Sequence, residues 1–394
     1  MIYLDNAATA NPKAPGVGEA MVRCLQDYNA NPGHGGYHLA VQATMAVFGA
    51  RASLSRLLGV ADPSRLVFTS GATAALNQAI RGSLPESGAH VICSAWEHNA
   101  VLRPLWDWRS RTGGTVTILP PRDGYPFHPD DLERAVRPDT ALIVLNAASN
   151  VTGVLTPVVA VGEIARRHGI RFLVDGSQVA GHLALSLQDL PIDLWACPGH
   201  KGLLGPQGVG LLYIRPGIEL QPLIVGGAGF DSSREEPPDE APERYEAGTV
   251  NTPGILGLGA AAEYLLAQNP TVARSREITV LAALQEGLSR VHGVALFTAQ
   301  DASRGVGVVS CRIAGWSSGR AAEVLDRQFG ICVRAGLQCA PLAHQALGTA
   351  PEGTVRISIG PFTTEQDIDA VVRAIARLAE HPSNTVQLGS VPIA

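Results

Sequence analysis

Short apolar, β-branched runs alternate with helix-length segments through the middle of this chain, and that alternation most constrains how it can fold. Leu66-Val67-Phe68-Thr69 has strand character, as do Val91-Ile92-Cys93 and Ala141-Leu142-Ile143-Val144-Leu145. Arg171-Phe172-Leu173-Val174 and Gly208-Val209-Gly210-Leu211-Leu212-Tyr213 follow, and helical patterns such as Ala74 to Arg81 and Val158 to His168 lie between the runs. Runs that are apolar throughout, rather than alternately polar, suit strands buried on both faces. The pattern predicts an α/β domain around a mainly parallel sheet. At 394 residues the chain has room for roughly two domains. Gly254 to Leu266 and Ile278 to Val291 have helical patterns, Val306 to Ile313 and Val355 to Ile359 strand patterns, and Glu365 to Leu378 a final helical one. This last third predicts a smaller α+β domain. The expected division is a large domain over residues 16–253 and a small one built from residues 1–15 and 254–394. The acid- and proline-rich stretch Asp231 to Glu246 predicts a solvated loop, and the residues after His381 a surface tail.

Composition removes several function classes. Net charge is −5 and no Lys/Arg cluster stands out, so neither nucleic acid nor an anionic membrane is an expected partner. No uninterrupted apolar run approaches the roughly 20 residues of a membrane span. Met1-Ile2-Tyr3-Leu4-Asp5-Asn6 has no basic start and no long apolar stretch, so no signal peptide is expected. Six cysteines are scattered without CxxC spacing, which predicts neither a disulfide framework nor a metal site. A reducing cytoplasm fits this usage.

In parallel sheets of this kind ligands bind beyond the carboxyl ends of the strands. The first run ends in Ser70-Gly71-Ala72-Thr73, where a helix begins. Free N–H groups there, with the Thr73 hydroxyl, suit an anion; the alternative is a plain N-cap in a tight turn. The second leads into Trp96-Glu97-His98-Asn99, where His98 can stack on a planar ligand and move protons, or be a structural histidine. The third leads into Asn146-Ala147-Ala148-Ser149-Asn150, where Asn150 offers a hydrogen bond, or marks only a turn. The fourth ends in Asp175, which is costly to bury unless it meets a cation such as a protonated ring nitrogen; the alternative is a helix N-cap. Gln178, three residues on, is placed to donate to a ring oxygen.

Lys201 follows. The chain has 30 Lys plus Arg, and only Lys13 and Lys201 are lysines. A primary amine forms a Schiff base and acts as a base once its pKa is lowered, whereas a guanidinium does neither. The alternative is a surface or ion-pairing lysine.

An anion cradle, a stacking histidine, an aspartate for a pyridinium and an isolated lysine together meet the requirements of pyridoxal 5'-phosphate, which acts as the electron sink while the protein orients it. In this order the motifs resemble those of the class V aminotransferase-type, fold-type I pyridoxal-phosphate enzymes, and among them the cysteine desulfurases. The resemblance runs over nearly the whole chain. It starts at Tyr3-Leu4-Asp5-Asn6-Ala7-Ala8-Thr9, passes through the motifs above and Pro198-Gly199-His200-Lys201, and continues in Glu246-Ala247-Gly248-Thr249-Val250-Asn251. It ends at Arg334-Ala335-Gly336-Leu337-Gln338-Cys339-Ala340 and Val355-Arg356-Ile357-Ser358. By that resemblance Lys201 carries the Schiff base, Asp175 pairs with the pyridine nitrogen, Gln178 contacts the ring oxygen and His98 stacks on the ring. Ala72, Thr73 and His200 hold the phosphate, and Asn150 positions cofactor and substrate. Thr249 reaches the neighbouring subunit's phosphate, which implies a homodimer. Arg356 clamps the substrate carboxylate through its bidentate fork.

Five cysteines have structural explanations. Cys24 lies on an apolar helix side, Cys93, Cys311 and Cys332 in or beside strand-like runs, and Cys197 in the turn before Lys201. Cys339 differs, lying in a Gly- and Pro-bounded loop with Arg334 and His344 near in sequence. A loop thiol near cations can fall below its reference pKa of about 8.5 and react as thiolate. The resemblance then implies conversion of L-cysteine to alanine through an external aldimine, with a persulfide on Cys339. The short run from Arg334 to Cys339 resembles the short-loop desulfurases, which pass sulfur to an acceptor protein. Two departures bear on substrate choice. Pro198 stands where many relatives have Ser or Thr, and His34 and Tyr37 replace an Arg and a His. Selenocysteine lyase, acting on selenocysteine, and a non-catalytic sulfur-relay scaffold of the same fold are the alternatives.

Overall fold

The computed structural model describes residues 1–382 apart from 34, 123–124, 228–232 and 234. Its main body is a seven-stranded sheet in the order β2-β8-β7-β6-β5-β3-β4. These strands are β2 (Leu66–Thr69), β3 (His90–Ser94), β4 (Thr115–Leu119), β5 (Thr140–Asn146), β6 (Arg171–Asp175), β7 (Leu194–Pro198) and β8 (Gly210–Ile214), following a short β1 (Ile2–Tyr3). The strands from β4 to β7 pair in parallel, and only β8 runs antiparallel to its neighbours β7 and β2. The continuous apolar runs are explained by burial on both sides. Leu142 and Val144 enter one hydrophobic cluster, while Ile143 and Leu145 enter the other. Leu173 and Val174 divide in the same way, as side chains on a strand alternate between faces.

Helices α1 (Val17–Asp27), α2 (His38–Leu58), α3 (Ala72–Ser83), α4 (Asn99–Thr112), α5 (Pro129–Ala135) and α6 (Val158–His168) belong to this body. So does α7 (Thr252–Leu266), whose Ile255, Leu256, Leu258 and Ala262 join the cluster under the large sheet. Gly259 of α7 lets the helix close on Ala50 of α2, since a Cβ there would stand 2.6 Å from the Ala50 Cβ. We therefore place the division between the two units after α7, not at residue 253. The N-terminal segment is also shared rather than wholly part of the small unit: Leu4 sits in the small core, but Ala7 sits in the large one.

The small unit has a four-stranded antiparallel sheet in the order β12-β13-β10-β9, from β9 (Val294–Phe297), β10 (Val308–Ile313), β12 (Arg334–Gly336) and β13 (Thr354–Ser358). β1 pairs in parallel with β11 (Ile331–Cys332). Helices α8 (Pro270–Ser289), α9 (Ser318–Phe329), α10 (Pro341–Ala346) and α11 (Glu365–Glu380) complete it. α11 opens on a capping box, in which the Thr364 hydroxyl and the Asp367 carboxylate each accept from the other's backbone N–H.

The described part of Asp231 to Glu246 has no helix or strand, as expected of a loop, but its end is not solvated. Glu246 forms a two-pronged ion pair with Arg51, at 2.7 and 2.8 Å, and accepts from the Phe68 N–H of edge strand β2. The tail beyond residue 382 lies outside the described residues. Among the described residues no helix is long and apolar enough to cross a membrane, and no cluster of side chains could hold a metal ion.

Candidate active site

The carboxyl ends of β2, β3, β5, β6 and β7 open on a single cavity of about 430 Å³. Ala72 and Thr73 line it from α3, His98 from the start of α4, and Asn150 from the turn after β5. Asp175 and Gln178 line it after β6, and His200 and Lys201 after β7. The small unit closes the remaining wall with Arg334, Gln338, Cys339 and Arg356. Residues far apart in the sequence thus converge as expected, with one exception. Thr249 is exposed and does not line its own chain's cavity.

One end of the cavity is built for an anion. α3 begins at Ala72 after Gly71, with no side chain capping its first N–H groups. Those amides, with the helix dipole, attract a phosphate. The approach is close: a Cβ on Gly210 would stand 2.6 Å from the Gly71 Cα. Pro198 lines this cavity without a hydroxyl to offer. His200 has a buried Nδ1 with no partner. Burial, and then the charges of Lys201 and Lys13, hold its imidazole down to about 4, so it is neutral at pH 7.

The floor is built for a planar cation. Asp175 is buried at the end of β6 and forms no ion pair among the described residues; its Oδ1 accepts from the Ser177 N–H at 3.0 Å. No helix follows it, so it is not an N-cap. His98 caps α4 by accepting the Ala100 N–H at Nδ1, which fixes its ring at the cavity wall. Burial, and then the cation of Lys201, lower its pKa to about 4. Gln178 spends one amide hydrogen on the Ala7 carbonyl at 3.1 Å. Next to His98, Glu97 is completely buried and accepts from Ser94 Oγ; burial raises its carboxyl to about 8, so it is protonated at pH 7.

Burial also lowers the Lys201 amine from 10.5 to about 8, with the Asp175 charge opposing that shift. A larger fraction of it is therefore the neutral nucleophile near pH 7 than for an ordinary lysine. Arg356 is 3% exposed. It donates from Nη2 to Asp5 Oδ1 at 2.7 Å and from Nη1 to the Asn150 carbonyl at 3.1 Å, while its buried Nε has no partner.

Cys339 is exposed, on the turn between β12 and α10. It lines the same cavity as Lys201 and Arg356. His344 does not add a cation here. It is completely buried, burial lowers its pKa to about 4, and it hydrogen-bonds Gln338 and Thr349. The other cysteines are buried or half-buried, and Cys197 lies inside β7 rather than in a turn. Tyr37 precedes α2, is exposed and does not line the cavity, while His34 lies outside the described residues.

The residues fit pyridoxal 5'-phosphate. Asn146 Oδ1, Asn150 Oδ1, His200 Nδ1 and Arg356 Nε are buried polar atoms without partners, and all four residues line the one cavity. Buried polar atoms are rarely left unpaired, so such a cluster marks a ligand site. Its chemistry matches the cofactor part by part: amides for phosphate, a carboxylate for a ring nitrogen, and an amine for the aldehyde.

Residues 2–371 match the family described as aminotransferase class-V. The chain belongs to that family. It is similar to the probable cysteine desulfurase of Methanothermobacter thermautotrophicus, at 32% identity over 96% of this chain and 94% of that one. It is also 32% identical to the cysteine desulfurase IscS of Methanosarcina thermophila, over 97% of this chain and 93% of the relative. The apo structure of the cysteine desulfurase from Thermococcus onnurineus NA1 superposes with a TM-score of 0.90 at 28% identity, covering 96% of this chain and 94% of that one. The family-level expectations of fold and chemistry are thereby met.

Asp5, Asn146 and Gln338 lie inside the sequence motifs, but no role is legible for them there, because their partners Arg356, Trp96 and Thr354 are brought near only by folding.

Proposed function

We propose that this protein is a cysteine desulfurase that takes the sulfur of L-cysteine onto Cys339 and releases alanine. The observation that carries the reading is an exposed free thiol, Cys339, and a lone lysine, Lys201, lining one cavity. Pyridoxal 5'-phosphate, when bound, supplies an electron sink next to the substrate α-carbon. Lys201 is the anchor for its aldehyde and, once free, the base that moves the α-proton. Asp175 holds the ring nitrogen, Gln178 and Asn150 the ring substituents, and Ala72, Thr73 and His200 the phosphate. His98 covers the ring face, neutral and able to relay a proton. Arg356 binds the substrate carboxylate through N–H groups left free by Asp5 and Asn150. The Cys339 thiolate attacks the substrate sulfur. The S–S bond forms as the carbon–sulfur bond breaks, the electron pair stays on carbon, and a proton completes alanine. Cys339 is left as a persulfide for an acceptor protein.

The active unit in this proposal is a homodimer. Thr249 stands outside its own cavity, on a segment tied down by the Arg51–Glu246 pair, and so is free to reach a second copy's phosphate. Val41, Met45 and Phe48 form an exposed apolar stripe on α2 that a second copy can cover. An exposed free thiol at Cys339 suits a reducing cytoplasm.

The deciding experiment measures alanine with sulfide from cysteine, and with selenide from selenocysteine, for wild type, Lys201→Ala and Cys339→Ala. Lys201→Ala should abolish both activities. Cys339→Ala should abolish desulfuration. Full desulfuration by Cys339→Ala would sink the assignment, and selenide release without any sulfide release from wild type would move the protein to selenocysteine lyase.

A further inference from the structure

Gln338 and Cys339 both hold left-handed backbone conformations, with φ of 39° and 58°. Residues bearing a Cβ disfavour this region, and two in succession persist only where the surroundings over-determine them. Here the backbone is pinned at three points. Asn150 Nδ2 donates to the Gln338 carbonyl at 2.7 Å. The Asn99 N–H donates to the Cys339 carbonyl at 2.7 Å, and the Ala340 N–H to the Leu337 carbonyl at 2.8 Å.

The buried Gln338 side chain adds a fourth restraint. Its Nε2 donates to the Thr354 carbonyl at 2.9 Å, which leaves Oε1 as an acceptor. His344 Nε2 lies 2.7 Å from that Oε1, and His344 Nδ1 lies 2.7 Å from Thr349 Oγ1. Because Gln338 Oε1 can only accept, His344 carries its proton on Nε2 and accepts the Thr349 hydroxyl at Nδ1. The chain of donors therefore runs one way, from Thr349 through His344 to Gln338. It ends at the Thr354 carbonyl of β13, which takes the Gln338 amide hydrogen and fixes the side chain of the residue before Cys339.

We infer that His344 and Gln338 are positioning residues for sulfur transfer, holding Cys339 as a preorganised nucleophile on the cavity wall. This rests on the reading of Cys339 as the sulfur acceptor. A fixed thiol reaches a bound substrate sulfur without first ordering a loop, and small displacements of a reacting atom are costly. His344 does not line the cavity, so binding through Arg356 does not depend on its side chain.

The test uses the cofactor-loaded protein and the variants His344→Leu, His344→Gln, Thr349→Val and Cys339→Ala. It reads kcat and KM for cysteine, the cofactor absorption band, and alkylation of Cys339 by iodoacetamide. His344→Leu should lose about tenfold or more in kcat with KM changed by less than about twofold. Cys339 in that variant should alkylate as fast as in wild type or faster, because the thiol is present but no longer held. His344→Gln should recover most of kcat, since one amide can both donate to Gln338 Oε1 and accept from Thr349. If His344→Leu does not fold, Thr349→Val carries the test, losing the donor to Nδ1 and with it kcat but not KM. An inactive Cys339→Ala beside His344→Leu or Thr349→Val within about twofold of wild-type kcat overturns the inference. So does a loss in His344→Leu that His344→Gln fails to recover. Full desulfuration by Cys339→Ala overturns the sulfur-acceptor reading itself, a result distinct from both.

Discussion

Replacing Lys13 by methionine should weaken both the fold and the site, because the second of the chain's two lysines is tied to the first. Lys13 Nζ donates to the His200 carbonyl at 3.0 Å and to Thr9 Oγ1 at 3.1 Å. The same carbonyl accepts the Ala10 N–H at 2.8 Å and the Thr9 hydroxyl at 3.2 Å. Further along, the Ala14 N–H donates to the Leu204 carbonyl, and the Leu204 N–H to the Lys201 carbonyl. Residues Thr9 to Ala14 therefore grip the turn of Lys201 from both sides. A hydrogen bond from a charged donor contributes roughly 1.5–3 kcal/mol. Two effects reduce that here. The His200 carbonyl keeps two other donors, and Lys13 is only half-buried, so water replaces part of the interaction. The net loss for Lys13→Met is then about 1 kcal/mol of unfolding free energy. The charge has a second consequence. Lys13 helps hold His200 at about 4, so its removal raises the His200 pKa. Urea unfolding at neutral pH, with NMR titration of the His200 ring, reads both effects. Loosening the His200–Lys201 peptide should also lower kcat by about threefold to tenfold with little change in KM. Unchanged stability together with an unchanged His200 titration would refute the argument, since the ammonium could not then be bound at that carbonyl.

Three further outcomes are expected. His98, His200 and His344 are each held by burial at about 4 against 6.5 when unfolded, so the unfolded chain binds more protons between those values. Their contribution to stability is fully present above pH 6.5 and falls as pH drops toward 4, and His344→Gln should reduce proton uptake on unfolding at pH 5 by about one proton. Arg51→Met leaves the buried Glu246 carboxylate unpaired and should destabilise by about 3–5 kcal/mol in thermal or urea melts, with part recovered by adding Glu246→Gln. Gly181 holds φ at 86°, and a Cβ there would stand 2.0 Å from the carbonyl oxygen of Gly202, the residue after Lys201. Gly181→Ala should therefore cost about 2–4 kcal/mol of stability and lower kcat, measured on the cofactor-loaded protein.

Legibility in the sequence followed burial and chemistry. Leu66–Thr69 and Arg171–Asp175 could be read as strands because both faces are buried and the runs are apolar without interruption. Thr115–Leu119 was not, because this edge strand is partly exposed and its threonines dilute the pattern. Leu194–Pro198 was missed as well, since Trp195, Cys197 and a closing proline hide a completely buried strand. The helix Thr252–Leu266 was legible as a helix, but the core it joins was not. Its small residues reveal their purpose only against α1 and α2.

The sequence by itself determined the α/β class, the family and the residues proposed to carry the chemistry. Lys201, Asp175, His98, Cys339 and Arg356 each do something no other residue type does as well; His98, Asp175 and Arg356 follow or belong to a readable strand run, while Lys201 stood out by its rarity and Cys339 by its Gly- and Pro-bounded loop. Tertiary structure alone decided their working state. Arg356 meets Asp5 across 351 positions, and Lys13 meets the carbonyl of His200 across 187. His344, near enough to Cys339 in sequence to suggest a cation, is buried, neutral and engaged with Gln338. Charge state and geometry depend on desolvation and on partners brought together by folding, and neither is a property of local sequence.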